Sequence, residues 1–108
     1  MDKWVEVRGF NKSLKTFKVC VQAEDQHIVL IKNEQGQYAA IDNACPHAGL
    51  PLEEGDVHDN IITCRFHGYS YALQNGKNID FPDTETPAKV YKTKVQEGRV
   101  FVALEDQA

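Results

Sequence analysis

Two short stretches constrain this chain more than anything else in it. The first is Cys45-Pro46-His47-Ala48-Gly49-Leu50 and the second is Cys64-Arg65-Phe66-His67-Gly68-Tyr69. Each sets an imidazole two or three residues beyond a thiol and follows it closely with glycine, and sixteen residues separate His47 from Cys64. Thiolate and imidazole ligands favour zinc or iron–sulfur chemistry over hard cations such as magnesium. The three cysteines, Cys20, Cys45 and Cys64, are an odd number that cannot all pair within one chain. A secreted disulfide framework is therefore disfavoured, and metal ligation is the better first expectation.

The rest of the chain reads as strand. Phe17, Val19 and Val21 alternate with Lys18, Cys20 and Gln22, the period of a half-buried strand. Ile28-Val29-Leu30-Ile31 is a short apolar run, and Tyr38-Ala39-Ala40-Ile41 resumes after the turn-like Asn33-Glu34-Gln35-Gly36-Gln37, which predicts a hairpin. Tyr91, Thr93 and Val95 alternate again, and a Glu97-Gly98 turn leads to Val100-Phe101-Val102 as a second hairpin. Trp4 to Val7 predicts a first strand. Helix signals are weak: residues 12–16 or 84–90 predict at most one turn, the second interrupted by Pro87. Short strands with frequent turns imply an all-β sandwich or barrel.

Residues 43–82 differ in texture, holding four of the seven glycines, three of the four prolines and three of the four histidines. This block is expected to be a loop-rich site unit carried by the β framework of one domain spanning 1–108. With 12 basic and 16 acidic residues the chain carries a formal charge of −4. That excess and the lack of a Lys/Arg cluster argue against nucleic acid, whose affinity comes mostly from phosphate neutralisation, and suit a partner with a basic face. No stretch approaches the roughly 20 apolar residues of a membrane span. The N-terminus lacks the basic start and apolar block of a secretory signal, so a cytoplasmic monomer with no membrane contact is the expectation.

A structural zinc site with two Cys and two His matches the ligand types. Zinc modules, however, usually open with two ligands two to four residues apart, often in chains too small to fold otherwise. A [2Fe–2S] cluster with two Cys on one iron and two His on the other is the second possibility. At these residues the sequence resembles the Rieske family. Its Cys-Pro-His-x-Gly-x-x-Leu appears as Cys45-Pro46-His47-Ala48-Gly49-Leu50-Pro51-Leu52, followed by Gly55 and by Ile62-Thr63-Cys64-Arg65-Phe66-His67-Gly68. Pro87 and the stretch from Tyr91 to Val102 are similar to the family's closing hairpin.

The resemblance implies one [2Fe–2S] cluster, with Cys45 and Cys64 on the inner iron and His47 and His67 on the outer one. It implies a Rieske-like antiparallel β fold whose small cluster-binding subdomain spans approximately residues 43–82. It also implies a soluble one-electron ferredoxin between a reductase and a terminal oxygenase or other oxidoreductase. The alternative within redox biology is a small subunit of a larger enzyme such as assimilatory nitrite reductase; the alternative outside it is a zinc-binding interaction module. No triad, phosphate loop or nucleotide fingerprint is present, so an electron carrier rather than an enzyme is expected, and 108 residues leave no space for a second, catalytic iron domain. Two ferric ions, two sulfides and two thiolates sum to about zero charge when the imidazoles are neutral, which is why histidine ligation raises the potential.

Departures from the family's high-potential branch are informative. Its two additional, disulfide-joined cysteines correspond to Leu50 and Phe66, and its serine two residues beyond the second histidine corresponds to Tyr69. Tyr71 keeps the branch's tyrosine, whose hydroxyl is expected to bond the Cys45 sulfur. A low-to-middle potential follows. Leu50, Phe66 and Pro82 are expected to shield the cluster. Cys20, His27 and His58 are expected to be bystanders, Trp4 a packing residue, and the acidic Glu53, Glu54, Asp56 and Asp59 a solvated loop able to steer a basic partner.

Overall fold

A computed structural model describes residues 2–8, 10–11, 13–44, 51–65 and 68–105. Ten strands follow one another: β1 (Asp2–Val7), β2 (Phe17–Ala23), β3 (Gln26–Lys32), β4 (Tyr38–Asp42), β5 (Asp56–His58), β6 (Ile61–Thr63), β7 (Ser70–Ala72), β8 (Val90–Tyr91), β9 (Thr93–Gln96) and β10 (Arg99–Glu105). They form three antiparallel sheets, ordered β1-β10-β9, β2-β3-β4-β8 and β5-β6-β7. A single 3-10 turn, Leu52–Glu54, is the one helical element among the described residues.

The four-stranded sheet is the centre of the molecule, because both of its faces are covered. On one side Val21, Ala23, Ile28, Leu30, Ala40 and Tyr91 pack against Val7, Val100, Val102 and Leu104 of the β1-β10-β9 sheet. On the other, Val29, Ile31 and Ile41 pack against Leu52, Ile62, Cys64, Tyr71 and Leu73. Alternate residues of β3 therefore enter two different cores. Ile28, Val29 and Leu30 are all fully buried, which is why β3 reads as an unbroken apolar run. Each such side chain contributes about 1.5–3 kcal/mol relative to exposure.

The β3–β4 hairpin closes where the sequence predicts. Asn33 Oδ1 accepts the backbone N–H of Gln35 at 3.0 Å and of Gln37 at 2.9 Å, a side-chain-built turn. The Asp59–Asn60 turn between β5 and β6 has φ of 51° and 62°, the left-handed geometry that Asp and Asn tolerate best among residues with a Cβ.

Two expectations need correction. The stretch 91–95 is not one strand: the chain changes sheets at Lys92, so β8 pairs with β4 while β9 pairs with β10. Tyr91 is buried between the sheets, and the Lys92 carbonyl accepts the Ala103 N–H at 2.9 Å. Past this crossover the alternation loses its meaning, and Val95 is 55% exposed. Residues 84–90 form no helix; a single turn overlaps their start, with Thr84 and Glu85 N–H groups on the Phe81 carbonyl at 3.4 and 3.0 Å. Trp4 lies on the outer face of the three-stranded β1-β10-β9 sheet, with Lys94 Nζ 4.4 Å from its ring centroid.

Candidate metal centre

The second motif sits in a loop that its own backbone closes. β6 runs into Cys64, whose N–H donates to the Tyr69 carbonyl at 2.7 Å, and the Gly68 N–H donates back to the Cys64 carbonyl at 2.8 Å. The side chain of Cys64 is fully buried among Leu52, Ile62, Tyr71 and Leu73. His67 and Phe66 lie outside the described residues, as do Cys45, His47 and Leu50 of the first motif.

The flanks of the first motif are tied together by side-chain hydrogen bonds. Asn43 stands just before it and Glu53 just after. Asn43 Oδ1 accepts the Glu53 N–H at 2.9 Å, and Asn43 Nδ2 donates to Glu53 Oε1 at 3.2 Å and to Cys20 Sγ at 3.4 Å. The Asn43 N–H donates to the His27 carbonyl at 2.9 Å. One side chain thus ties the two ends of the motif to each other and to β2. Leu52, at the far end, shares its core with Cys64, so the flanks of both motifs belong to one packed cluster.

A second asparagine organises the other side. Asn78 is 1% exposed, stands opposite Tyr71 in a β-bridge, and accepts the N–H groups of Asp80 and Phe81 on Oδ1 at 3.0 and 2.9 Å. Its Nδ2 is the buried side-chain nitrogen or oxygen that finds no hydrogen-bond partner among the described residues. Asn43 is legible only as the residue two places before Cys45. Asn78 carries no signal at all, since a polar side chain in the polar Gln74-Asn75-Gly76-Lys77-Asn78 stretch looks solvated.

Other candidates fall elsewhere. Cys20 is half-buried rather than on an open polar face, because Asn43 covers its sulfur; burial, then the Glu53 charge, push its thiol pKa up, against the pull of the Asn43 hydrogen bond. His27 is exposed, and the exposed His58 meets Asp59 at 3.1 Å. Pro82 is exposed. Glu53, Glu54, Asp56 and Asp59 are all exposed. Among the described residues no three His, Cys, Asp or Glu side chains converge as a separate metal site. A groove of about 660 Å³ between the β2–β3 edge and the β5–β6 hairpin is lined by polar and charged groups such as Lys18, Lys32, Asp56 and Asn60. No helix among the described residues is long and apolar enough to cross a membrane.

The residues fit an iron–sulfur centre. The Cys64 sulfur and the Tyr71 hydroxyl are withdrawn from water in an otherwise apolar cluster, the Nδ2 of buried Asn78, bridged to Tyr71, has no partner among the described residues, and thiols and imidazoles are soft donors. Comparison with known proteins agrees. The family model of the Rieske [2Fe-2S] domain matches residues 3–102. The 3-phenylpropionate/cinnamic acid dioxygenase ferredoxin subunit of Photorhabdus laumondii is 30% identical over 73 residues, 67% of this chain and 69% of that one. Apoptosis-inducing factor 3 of Homo sapiens is 30% identical over 80 residues, 74% of this chain, which spans only 13% of that protein's length. In structure, an NADH-dependent nitrite reductase small subunit from Mycobacterium tuberculosis superposes with a TM-score of 0.85, at 23% identity and 98% coverage of both chains. The zinc alternative falls with these findings, and the cofactor is one Rieske-type [2Fe–2S] cluster. The chain belongs to the Rieske [2Fe–2S] family.

Proposed function

We propose that this chain is a one-electron carrier, with Cys45 and Cys64 holding one iron of the cluster and His47 and His67 the other. Residues 43–82 form the cluster-binding subdomain within the single domain 1–108. The observation that carries this is the fully buried Cys64 sulfur, in a loop closed by its own backbone, sharing a core with the residue that ends the first motif. When bound, the cluster takes up and releases one electron with no bond to the protein made or broken. The chain's own part is to keep the ligands fixed: Asn43 clasps the first loop, and the Cys64–Tyr69 and Gly68–Cys64 hydrogen bonds clasp the second. Rigid ligands change little between oxidation states, so little reorganisation opposes the transfer.

The electron comes from a reductase and goes to a terminal oxygenase or another oxidoreductase, in the cytoplasm, with the carrier a monomer and no catalytic group of its own. The relative that is a dioxygenase ferredoxin subunit supports this. A second arrangement, the same domain as the small subunit of a larger oxidoreductase such as nitrite reductase, is favoured by the nitrite reductase small subunit whose fold it shares over 98% of both chains. A spectroelectrochemical titration of the holoprotein tests the carrier: one electron per two irons, reversibly and with n = 1, is expected, and no uptake would overturn it. Stoichiometric co-purification with a large flavoprotein or oxygenase would assign the bound arrangement instead.

A further inference from the structure

Charge is unevenly distributed along this chain. Residues 43–88 hold seven acidic and two basic side chains, net −5, while the remainder holds nine acidic and ten basic, net +1. The whole excess of negative charge therefore belongs to the half that carries the metal centre.

Within that half one turn is built differently from the rest. The backbone N–H groups of Asp80 and Phe81 are held by buried Asn78, and the Phe81 carbonyl accepts from Thr84 and Glu85. The turn is anchored at both ends, yet its apolar side chains face solvent: Ile79 is 44% exposed and Phe81 51%. Burial of either ring or side chain in this chain's own core would be worth more than exposure, so a rigid turn that holds them out has a use outside the monomer. Asp80 and Asp83 flank them and are exposed. The Phe81 ring meets the Tyr69 ring edge-on, centroids 6.5 Å apart, and Tyr69 closes the loop that contains Cys64 and His67.

We propose that the 79–83 turn is the recognition element for the redox partner, with Phe81 and Ile79 entering an apolar socket and Asp80 and Asp83 meeting its basic rim. The assignment rests on the carrier function proposed above. Electron transfer between proteins requires the two centres to approach closely, so a productive complex covers surface contiguous with the ligand loops, and this turn is that surface. Opposite charge steers the encounter, and the aromatic anchor fixes its geometry.

The test uses dithionite-reduced holoprotein mixed in stopped flow with oxidised cytochrome c, a basic haem protein, and separately with ferricyanide, a small anion. The wild-type rate with cytochrome c should fall about tenfold from low to physiological ionic strength. The double variant Asp80→Asn/Asp83→Asn should be slowed several-fold at low salt with a flatter salt dependence. Phe81→Ser should be slower at every salt concentration. Glu34→Gln/Glu97→Gln, which removes the same charge from the framework, should stay within about twofold of wild type. Ferricyanide should be reduced by every variant at least as fast as by wild type.

Equal rates with cytochrome c for wild type, Asp80→Asn/Asp83→Asn and Phe81→Ser overturn the proposal, as does equal slowing by the framework pair. A dimer in sedimentation velocity that Phe81→Ser dissolves gives the turn to a second copy and overturns it too. If Phe81→Ser fails to hold its cluster, the aspartate pair decides alone. Failure of the wild type to reduce either oxidant would instead sink the carrier function.

Discussion

Gly76 is where the structure makes its most quantitative demand. It lies in the turn between β7 and Asn78, with φ of 79°, its N–H on the Ala72 carbonyl at 2.7 Å and its carbonyl accepting the Ala88 N–H at 2.8 Å. A Cβ placed there would come within 1.9 Å of the Ala88 carbonyl oxygen and 2.9 Å of its carbon, backbone atoms that cannot rotate away. Gly36 has the same φ of 79° but nothing within 4 Å of such a Cβ. The two sites separate conformation from crowding. An alanine at either costs about 1–2 kcal/mol for its left-handed backbone, offset by about 0.4–1 kcal/mol from the stiffer unfolded chain. Gly36→Ala should thus lose about 0.5–1 kcal/mol. Gly76→Ala adds about 1–3 kcal/mol of overpacking and about 1 kcal/mol for the displaced Ala88 hydrogen bond, about 3–4 in all. For a domain of this size 1 kcal/mol moves Tm by about 4–8 °C. Far-ultraviolet circular dichroism and loss of cluster absorbance, followed at one heating rate, should show Gly36→Ala about 5 °C below wild type and Gly76→Ala about 15–25 °C below. Similar losses at both positions would refute the crowding argument and the packing of Ala88 beneath the turn.

Cys64→Ser and Cys45→Ser should each abolish bound iron and sulfide, while Cys20→Ser should keep both, as read by metal and sulfide assay of purified protein. Tyr71→Phe should lower the reduction potential with cluster content unchanged, each tenfold change in the one-electron equilibrium being about 59 mV in film voltammetry; an unchanged or raised potential removes the hydroxyl from the sulfur environment. The raised Cys20 pKa sets a pH dependence. Because the unfolded chain loses this proton first, the contribution is complete below the ordinary thiol pKa of about 8.5 and is lost as pH rises through the folded value. Urea midpoints at neutral and alkaline pH should therefore fall less in Cys20→Ser than in wild type, and equal falls would contradict the burial of this thiol. Asn43→Ala should speed cluster loss to a chelator several-fold, since the clasp on the first loop goes with it; an unchanged rate would leave that loop held by its backbone alone.

Much of the fold was legible because its local signals agree with its packing. The Asn33 turn, the Phe17–Val21 alternation and the Glu97–Gly98 hairpin each state one structure, and each forms. What failed to show was whatever depends on a second layer. A period of two cannot reveal that the chain changes sheets at Lys92, because both pieces remain extended. Cys20 reads as solvent-facing until Asn43 arrives from another element to cover it. The family was legible in the types and spacing of its thiols and imidazoles, which are chemical, but the residues packed around Cys64 were not. Asn78 is indistinguishable from a loop asparagine until its burial is seen.

Pulsed EPR on dithionite-reduced holoprotein carrying nitrogen-15 histidine, with iron and sulfide counted on the same sample, probes the ligand set itself. Two irons and two sulfides per chain, with two labelled nitrogens coupled to the cluster and both lost together with His47→Ala and His67→Ala, are what two-thiolate, two-imidazole ligation predicts. A reduced signal without histidine coupling, or with coupling that survives both substitutions, would contradict it.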